Sequence, residues 1–182
     1  MNSNTNFEYL KTMVDSPDKK QIVTDLMNTF GNAVWNYAYS IARKREHADD
    51  ITQEVFIKVF RNLHTFRSSD SSIKAWLLTI TRNSAYDFLR KSFFRRVILI
   101  DNVESDTVYQ SAEEELMDKL TITDIWKKVM RLPAKFREVL ILYGHHQLSM
   151  KEIALILAIS ESAVKSRLHQ ARLRMVKMKE RE

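Results

Sequence analysis

Apolar residues recur along most of this chain at the period of an amphipathic helix. From about residue 18 to 45 the recurring positions are Ile22, Leu26, Phe30, Val34, Tyr37 and Ile41. Between 48 and 63 they are Ile51, Val55, Val59 and Leu63, with Phe56 beside them. Spacings of three and four residues place side chains on one face of a helix. Both stretches are therefore predicted to be helices with one buried face.

The polar segment HTFRSSDSS at 64–72 interrupts this pattern and predicts a loop, because Ser and Asp favour turns. A third helix is predicted from about 73 to 92. Its apolar anchors are Trp76, Leu77, Ile80, Ala85, Phe88 and Leu89.

The C-terminal part predicts four further helices. The sequence SAEE at Ser111 has the form of a capping box and opens a helix to about Arg131. Pro133 suits the first position of a helix over 133–145. A second capping box, Ser149 to Glu152, opens two short helices joined by a tight turn over 149–174. In the last helix Val164, Leu168, Ala171 and Met175 form the predicted buried stripe.

Composition supports an all-α globular protein. The chain has two Gly, two Pro and 45 % apolar residues, and no cysteine, which excludes disulfides and thiolate metal sites. We expect no secretory leader and no membrane span, and therefore a cytoplasmic protein.

Charge divides the chain. Residues 101–118 hold seven acids and no base, which leaves 29 bases against 16 acids, a net +13, on the rest. We predict two small helical domains, 1–96 and 112–182, joined by an acidic linker at 97–111. Charge alone leaves two alternatives open: a protein that binds polyanions, or ordinary solvated helix faces.

The paired helices at 149–174 have the form of a helix-turn-helix, which places its second helix in the DNA major groove. Four outer-face residues are predicted to read bases, because Gln pairs with adenine and Lys with guanine acceptors: Lys165, Ser166, His169 and Gln170. Three arginines of the same helix are predicted to bind DNA phosphates: Arg167, Arg172 and Arg174. The alternative is a plain helical hairpin with a basic face. His145 and His146 are adjacent, diverge on a helix and lack a carboxylate partner, so no metal site is predicted there.

Three segments resemble bacterial RNA polymerase sigma factors of the extracytoplasmic-function (ECF) subfamily. ADDITQEVFIKVFRNL and FRSSDSSIKAWLLTITRNSAYDFLRK resemble the family's second region. LPAKFREVLILYGHHQLSMKEIALILAISESAVKSRLHQAR resembles the fourth region. The resemblance implies a transcription initiation factor without catalytic residues, metal or cofactor. It implies binding to core RNA polymerase and promoter DNA, an anti-sigma partner, and no small-molecule substrate.

The resemblance also implies roles for individual residues. Asp50, Gln53 and Glu54 would dock on the clamp helices of the largest polymerase subunit, and the second domain would bind the flap of the second-largest subunit. The minus-ten promoter strand would meet Phe66, Arg67, Ser68, Ser69, Asp70, Arg82, Asn83, Arg90 and Lys91. The minus-thirty-five element would meet the helix-turn-helix residues already named. Trp76 is predicted to be a core anchor rather than a stacking platform.

Three of the departures from the family pattern concern a loop, a helix start and a turn. Phe66 and Trp76 are ten residues apart, where nine are expected, so the minus-ten loop is one residue longer. His47 stands where an Asp usually opens the clamp-binding helix, and His is a poorer N-cap. Ala158 occupies a turn position usually held by Gly.

Two other functions fit parts of the sequence. A stand-alone helix-turn-helix regulator explains 149–174 but leaves the N-terminal motifs unused. A nucleic-acid enzyme would need Asp49, Asp50 and Glu54 as metal ligands, and no second acidic motif accompanies them.

Overall fold

The structure is a computed structural model that describes residues 19–67, 71–99 and 124–179, with the side chains of the third helix described to residue 93. Across these ranges the secondary structure is helical, which confirms the all-α prediction. The helices are α1 (Lys19–Ala42), α2 (Arg45–Asn62), α3 (Ile73–Leu99), α4 (Asp124–Arg131), α5 (Ala134–Gly144), α6 (Met150–Leu157) and α7 (Glu161–Lys179), with a 3₁₀ turn at Leu63–Thr65.

The first three helices pack against one another and form the N-terminal half. Ile51, Val55 and Val59, the predicted stripe of α2, are fully buried against α1 and α3. On α3, Leu77 is fully buried, and Trp76 is half-buried and packs against the same core, as a core anchor should. The hydrophobic period therefore located the core of this half correctly.

Two boundaries differ from the prediction. Helix α2 begins at Arg45 after an extended Lys44, so His47 lies inside the first turn and is not the N-cap. The chain turns sharply at Arg43, whose φ is 60°, and the next helix starts almost at once. Helix α3 continues to Leu99, three residues into the predicted linker, because no Gly or Pro stops it. The rest of that linker and the predicted helix start at Ser111 lie outside the described residues.

The C-terminal half consists of α4 to α7. Pro133 precedes α5 as its N-cap rather than occupying its first turn. The capping box before α6 is confirmed: the Ser149 hydroxyl accepts from the Glu152 N–H at 3.2 Å, and the Glu152 carboxylate accepts from the Ser149 N–H at 3.0 Å. Two N–H groups that would otherwise lack partners at the helix start are thereby satisfied.

Helix α6 ends at a left-handed residue. Ala158 has φ 53° and ψ 49°. Its N–H donates to the Leu155 carbonyl at 3.3 Å, and the Ile159 N–H donates to the Ala154 carbonyl at 3.0 Å. This is the Schellman pattern that glycine usually completes, because a Cβ is strained in the left-handed region.

Replacing Ala158 by glycine should stabilise the protein by about 1 kcal/mol, since the lost strain exceeds the added backbone entropy of the unfolded chain. Urea unfolding followed by circular dichroism measures the change. Ala154→Gly, the same substitution inside α6, should instead cost about 1 kcal/mol. A loss of stability in Ala158→Gly would contradict the strain argument.

The two halves lie against each other. Helix α1 contacts α5, α3 contacts α6, and one hydrophobic cluster runs from Val55 in α2 to Leu142 in α5 and Ile153 in α6. The sequence predicted two linked domains but not this contact. Within the described ranges, no helix is both long and apolar enough to cross a membrane.

Candidate polymerase and nucleic-acid interfaces

Helix α2 presents a continuous exposed face opposite its buried stripe. Asp50 and Gln53 are exposed and Glu54 is half-exposed, so the structure brings the three predicted polymerase contacts together. One to two turns further on, the same face carries Ile57, 51 % exposed, and Phe60, 44 % exposed. These two apolar residues were missed from sequence, although the spacing of four from Gln53 to Ile57 and three from Ile57 to Phe60 was the available signal.

Glu54 lies within a short chain of polar contacts between α2 and α3. Its carboxylate pairs with Lys58 Nζ at 2.9 Å, one turn on. Lys58 Nζ also donates to the Ser84 hydroxyl at 2.9 Å, and Ser84 is buried on α3 next to Asn83. The predicted polymerase face is therefore tied to the helix predicted to meet the promoter strand.

Two of the three acids that an enzyme would need as metal ligands have other partners. Asp49 accepts a hydrogen bond from the Trp35 indole N–H at 2.7 Å, and Glu54 is paired with Lys58. In the part of the chain that the structure describes, no group of three His, Cys, Asp or Glu side chains is placed to hold a metal ion.

The turn before α3 holds the start of the predicted minus-ten surface. Phe66 is half-buried and its ring lies 5.5 Å from that of Trp76. Arg67 is exposed and folds back, donating to the His64 carbonyl at 2.7 Å. The predicted contacts Ser68, Ser69 and Asp70 lie outside the described residues. The effect of the longer loop on base preference therefore stays a prediction.

Helix α3 carries the remaining minus-ten candidates in three different settings. Asn83 and Lys91 are exposed. Arg90 is exposed and paired with Asp87 at 2.7 Å, a weak surface contact. Arg82 is half-buried, and its Nε lies 2.8 Å from the carboxylate of Glu138 in the C-terminal half. Arg82 is thus already engaged by an acid.

The second helix of the helix-turn-helix, α7, buries and exposes the side chains that the sequence pattern predicts. On α7 Val164, Leu168 and Ala171 are buried, and the four predicted base readers are all exposed: Lys165, Ser166, His169 and Gln170. The three arginines lie at the flanks. Arg167 is half-buried, Arg172 lies over the Tyr143 ring at 5.3 Å, and Arg174 lies over the Phe136 ring at 4.6 Å.

Comparisons with known proteins match one family to each half of the chain. The Sigma-70 region 2 family matches residues 26–93, and the Sigma-70, region 4 family matches residues 122–175. The RNA polymerase sigma factor YlaC of Bacillus subtilis is 31 % identical over 157 residues, which cover 85 % of this chain and 90 % of YlaC. The ECF RNA polymerase sigma factor SigM of the same organism is 28 % identical over 154 residues, 84 % of this chain and 92 % of SigM.

This chain belongs to the ECF sigma factors. It therefore binds core RNA polymerase and directs promoter-specific transcription initiation. Its fold is similar to that of the sigma factor RpoE of Bartonella quintana, solved in complex with the anti-sigma factor NepR. That comparison has a TM-score of 0.69 and 29 % identity, and covers 88 % of this chain and 98 % of the other.

One carboxylate of this sigma factor joins its two halves. Glu138 on α5 is buried and accepts from Tyr37 Oη at 3.2 Å, Tyr86 Oη at 2.5 Å and Arg82 Nε at 2.8 Å. Burial, and then the hydrogen bond to Glu138, raises the pKa of Tyr86 to about 12. Burial and the Glu138 charge likewise raise the pKa of Tyr37 well above its ordinary value. Both phenols therefore remain hydrogen-bond donors at neutral pH.

A second set of contacts lies near the start of α3. Lys74 Nζ donates to the His146 carbonyl at 2.7 Å, and the Ser72 hydroxyl donates to the Glu152 carboxylate. The rings of His145 and His146 lie 4.8 Å apart. The expectation that these histidines diverge is wrong, because α5 ends at Gly144 and they follow the helix rather than lying on it.

His146 should make this sigma factor less stable in acid. Its side chain is 2 % exposed; burial, followed by His145 and Lys74, lowers its pKa to about 3. In the unfolded chain the His146 imidazole has its ordinary pKa of about 6.5 and binds a proton below that pH. The folded state, which keeps His146 neutral, is therefore most stable above pH 6.5, and it loses stability relative to the unfolded chain as the pH falls towards 3. From pH 7.5 to 5.5 we expect the free energy of unfolding to fall by about 1 kcal/mol.

Urea unfolding at the two pH values checks this. His146→Gln should remove most of the pH dependence, whereas His64→Gln, at an exposed histidine, should keep it. Equal pH dependence in the two variants would show that His146 is not the group responsible.

Proposed function

We propose that this sigma factor docks on the clamp helices of the largest polymerase subunit through the exposed face of α2. Asp50, Gln53 and Glu54 would form the polar part of that interface. Ile57 and Phe60 would supply its apolar centre, in the arrangement typical of protein interfaces. What supports this is that all five side chains are accessible on one helix face.

We propose that α3 and the turn before it bind the opened minus-ten strand. Such a surface needs accessible polar side chains that bind the bases and cationic side chains that bind the phosphates. Asn83 and Lys91 are accessible for these roles. The base pocket would be lined by Arg67, Ser68, Ser69 and Asp70, and Phe66 would pack beside it. Arg82 and Arg90 would exchange their carboxylate partners for phosphates, since both anions suit a guanidinium.

We propose that α7 reads the minus-thirty-five element. The observation that carries this is the clean division of α7, with Lys165, Ser166, His169 and Gln170 all on the exposed face. The phosphate contacts would be Arg167, Arg172 and Arg174. Exposed Leu173 and Val176 add apolar surface for the polymerase flap. The protein would have no chemistry of its own and would act in the cytoplasm.

An anti-sigma factor is proposed as a further partner. The similar RpoE was solved in such a complex. A stand-alone helix-turn-helix regulator is the alternative, and it would not use the face of α2.

Transcription with purified core polymerase on genomic DNA tests the proposal. We expect new start sites that share two upstream elements. A variant with Ile57→Asp should lose these starts, and the matched change Met27→Asp, at an exposed methionine on α1, should retain them. New starts that persist undiminished in Ile57→Asp would refute the docking face, and an absence of new starts would refute the promoter assignment.

Gln170→Ala should relax sequence preference at about one base pair of the upstream element, by about 1–3 kcal/mol. Arg172→Ala should instead weaken binding to all sequences alike, because phosphate contacts carry no base information. Selection from a randomised upstream element, read by sequencing, measures both. An unchanged preference in Gln170→Ala would remove Gln170 from the reading face.

A further inference from the structure

Helix α5 ends with an exposed tyrosine beside α7. Tyr143 lies in the last turn of α5 and is 38 % exposed, whereas Val139 and Leu142 of the same helix are fully buried. A tyrosine at a surface combines an apolar ring with a hydroxyl that seeks a polar partner. Tyr143 therefore offers both a ring and a hydrogen-bonding group at the surface of the C-terminal half.

The Tyr143 ring supports an arginine of the helix-turn-helix. The guanidinium carbon of Arg172 lies over this ring, 5.3 Å from its centre. The positive charge is attracted by the negative face of the ring. This attraction leaves N–H donors of the guanidinium available for an anion, because a guanidinium has five of them. Arg172 is thus held in position by α5 and can still bind a further partner.

Arg172 borders the face of α7 that is proposed to read bases. It follows His169 by three residues and Lys165 by seven, and these spacings place the three side chains on one side of a helix. All three residues are exposed. Tyr143, although it belongs to α5, therefore lies at the edge of the proposed DNA surface.

A second pair of an arginine and an aromatic ring links the same two helices but differs in chemistry. Arg174 lies over the Phe136 ring at 4.6 Å. Phe136 is only 7 % exposed and carries no polar group. Arg174 follows His169 by five residues, which places it about 140° around α7 from that residue. Only the Tyr143 pair combines a hydroxyl with a position beside the reading face.

The backbone of duplex DNA is the anion that suits this pair. Arginine and tyrosine side chains both donate hydrogen bonds to phosphate oxygens in protein–DNA interfaces. A hydrogen bond to a charged acceptor is stronger than one between neutral groups. Contacts to phosphate fix the register of a protein on the duplex and carry no base information. Two donors on different helices would therefore orient α7 without changing which bases it reads.

We propose that Tyr143 is a further DNA-binding residue of this sigma factor, and that its hydroxyl and the Arg172 guanidinium together bind the phosphate backbone at the edge of the minus-thirty-five element. The assignment rests on the proposed function, in which α7 reads that element. It extends the DNA interface from the helix-turn-helix to α5, the helix that precedes it.

Binding of the holoenzyme to a labelled promoter duplex at several salt concentrations tests the role of the hydroxyl. The duplex carries one of the promoters recovered by transcription mapping. Tyr143→Phe keeps the ring and should weaken binding by about tenfold, the effect of losing one hydrogen bond to a charged group. The salt dependence should stay the same, because a neutral hydroxyl displaces no counterion. Arg172→Ala should weaken binding and also reduce the salt slope by about 1.

Tyr143→Leu tests the role of the ring. This variant loses both the hydroxyl and the support for Arg172, so its loss of affinity should exceed that of Tyr143→Phe. Arg172→Ala should then cost less in the Tyr143→Leu background than in the original chain, because residues in contact are not independent. Circular dichroism verifies folding, and Tyr143→Phe tests the hydroxyl even where Tyr143→Leu folds poorly.

Two matched controls separate the contact from general effects. Tyr39→Phe removes a phenol hydroxyl from α1, in the other half of the protein. Arg131→Ala removes a positive charge from an exposed site at the end of α4. Each should change promoter affinity by less than about twofold.

Unchanged affinity in Tyr143→Phe would overturn the hydroxyl contact, whatever Tyr143→Leu does. A changed base preference in Tyr143→Phe, measured by selection from the randomised upstream element, would overturn the assignment to phosphate. If Gln170→Ala shifts the preference while Tyr143→Phe binds normally, the Tyr143 contact alone is refuted. If neither Gln170→Ala nor Arg172→Ala has an effect, α7 does not face the element, and the proposed function fails as well.

Discussion

Replacing Arg137 by methionine should lower the free energy of unfolding by about 3–5 kcal/mol. The Arg137 side chain is buried between the two halves. Its Nε donates to the Ser40 carbonyl at 2.8 Å, and its Nη1 donates to the Leu132 carbonyl at 2.9 Å and the Met130 carbonyl at 3.3 Å. Carbonyls in the last turn of a helix lack intrahelical partners, and a cation there is favourable. Methionine preserves apolar volume but leaves these carbonyls buried without a donor.

Urea unfolding measures this loss. Trp35 and Trp76 lie in the N-terminal half and Trp126 lies in the C-terminal half. Variants that keep the tryptophans of only one half therefore report the unfolding of that half by fluorescence. Arg131→Met is the control, because Arg131 is an exposed base in the same region and should change stability by no more than about 0.5 kcal/mol. A loss below about 1 kcal/mol in Arg137→Met would contradict its role as a shared helix cap.

Glu54→Lys should weaken binding to core polymerase by at least about tenfold, since like charges placed across an interface cost several kcal/mol. The change reverses a charge in the polar part of the proposed docking face. It also breaks the ion pair with Lys58 and sets two lysines one turn apart. Fluorescence anisotropy of labelled protein with core polymerase, without promoter DNA, measures the affinity.

Asp25→Lys makes the same change of charge on α1 and should leave core binding nearly unchanged. Equal losses in the two variants would indicate a general effect of charge rather than contact at Glu54. Retained binding in Glu54→Lys would remove this residue from the interface.

Local features of the fold were predictable from sequence because they depend on neighbours in the chain. The buried stripe of α2 and the capping box at Ser149 involve spacings of three and four residues. Ala158 was correctly identified as an unusual turn residue for the same reason. The exposed faces of α2 and α7 follow directly from these stripes.

The contact between the halves was not predictable in this way. Glu138 and Arg137 stand in a helical pattern as ordinary charged residues, and both are buried. Their partners Tyr37 and Ser40 lie 101 and 97 residues away in the chain. Periodicity indicates which face is buried in apolar contacts, but it carries no information on a charged side chain satisfied by a distant partner. Arg82 was assigned from motif resemblance alone, so its acid partner was missed.

The order of synthesis gives the contact between the halves a temporal consequence. Residues 72–86, which the C-terminal half contacts, leave the ribosome well before Glu138 exists. At about 5–20 residues per second, the ~50 residues between Tyr86 and Glu138 take roughly 3–10 s to add. For that interval Arg82 and Tyr86 on α3 lack the Glu138 carboxylate that they contact in the finished fold, so the nascent chain presents both side chains to solvent.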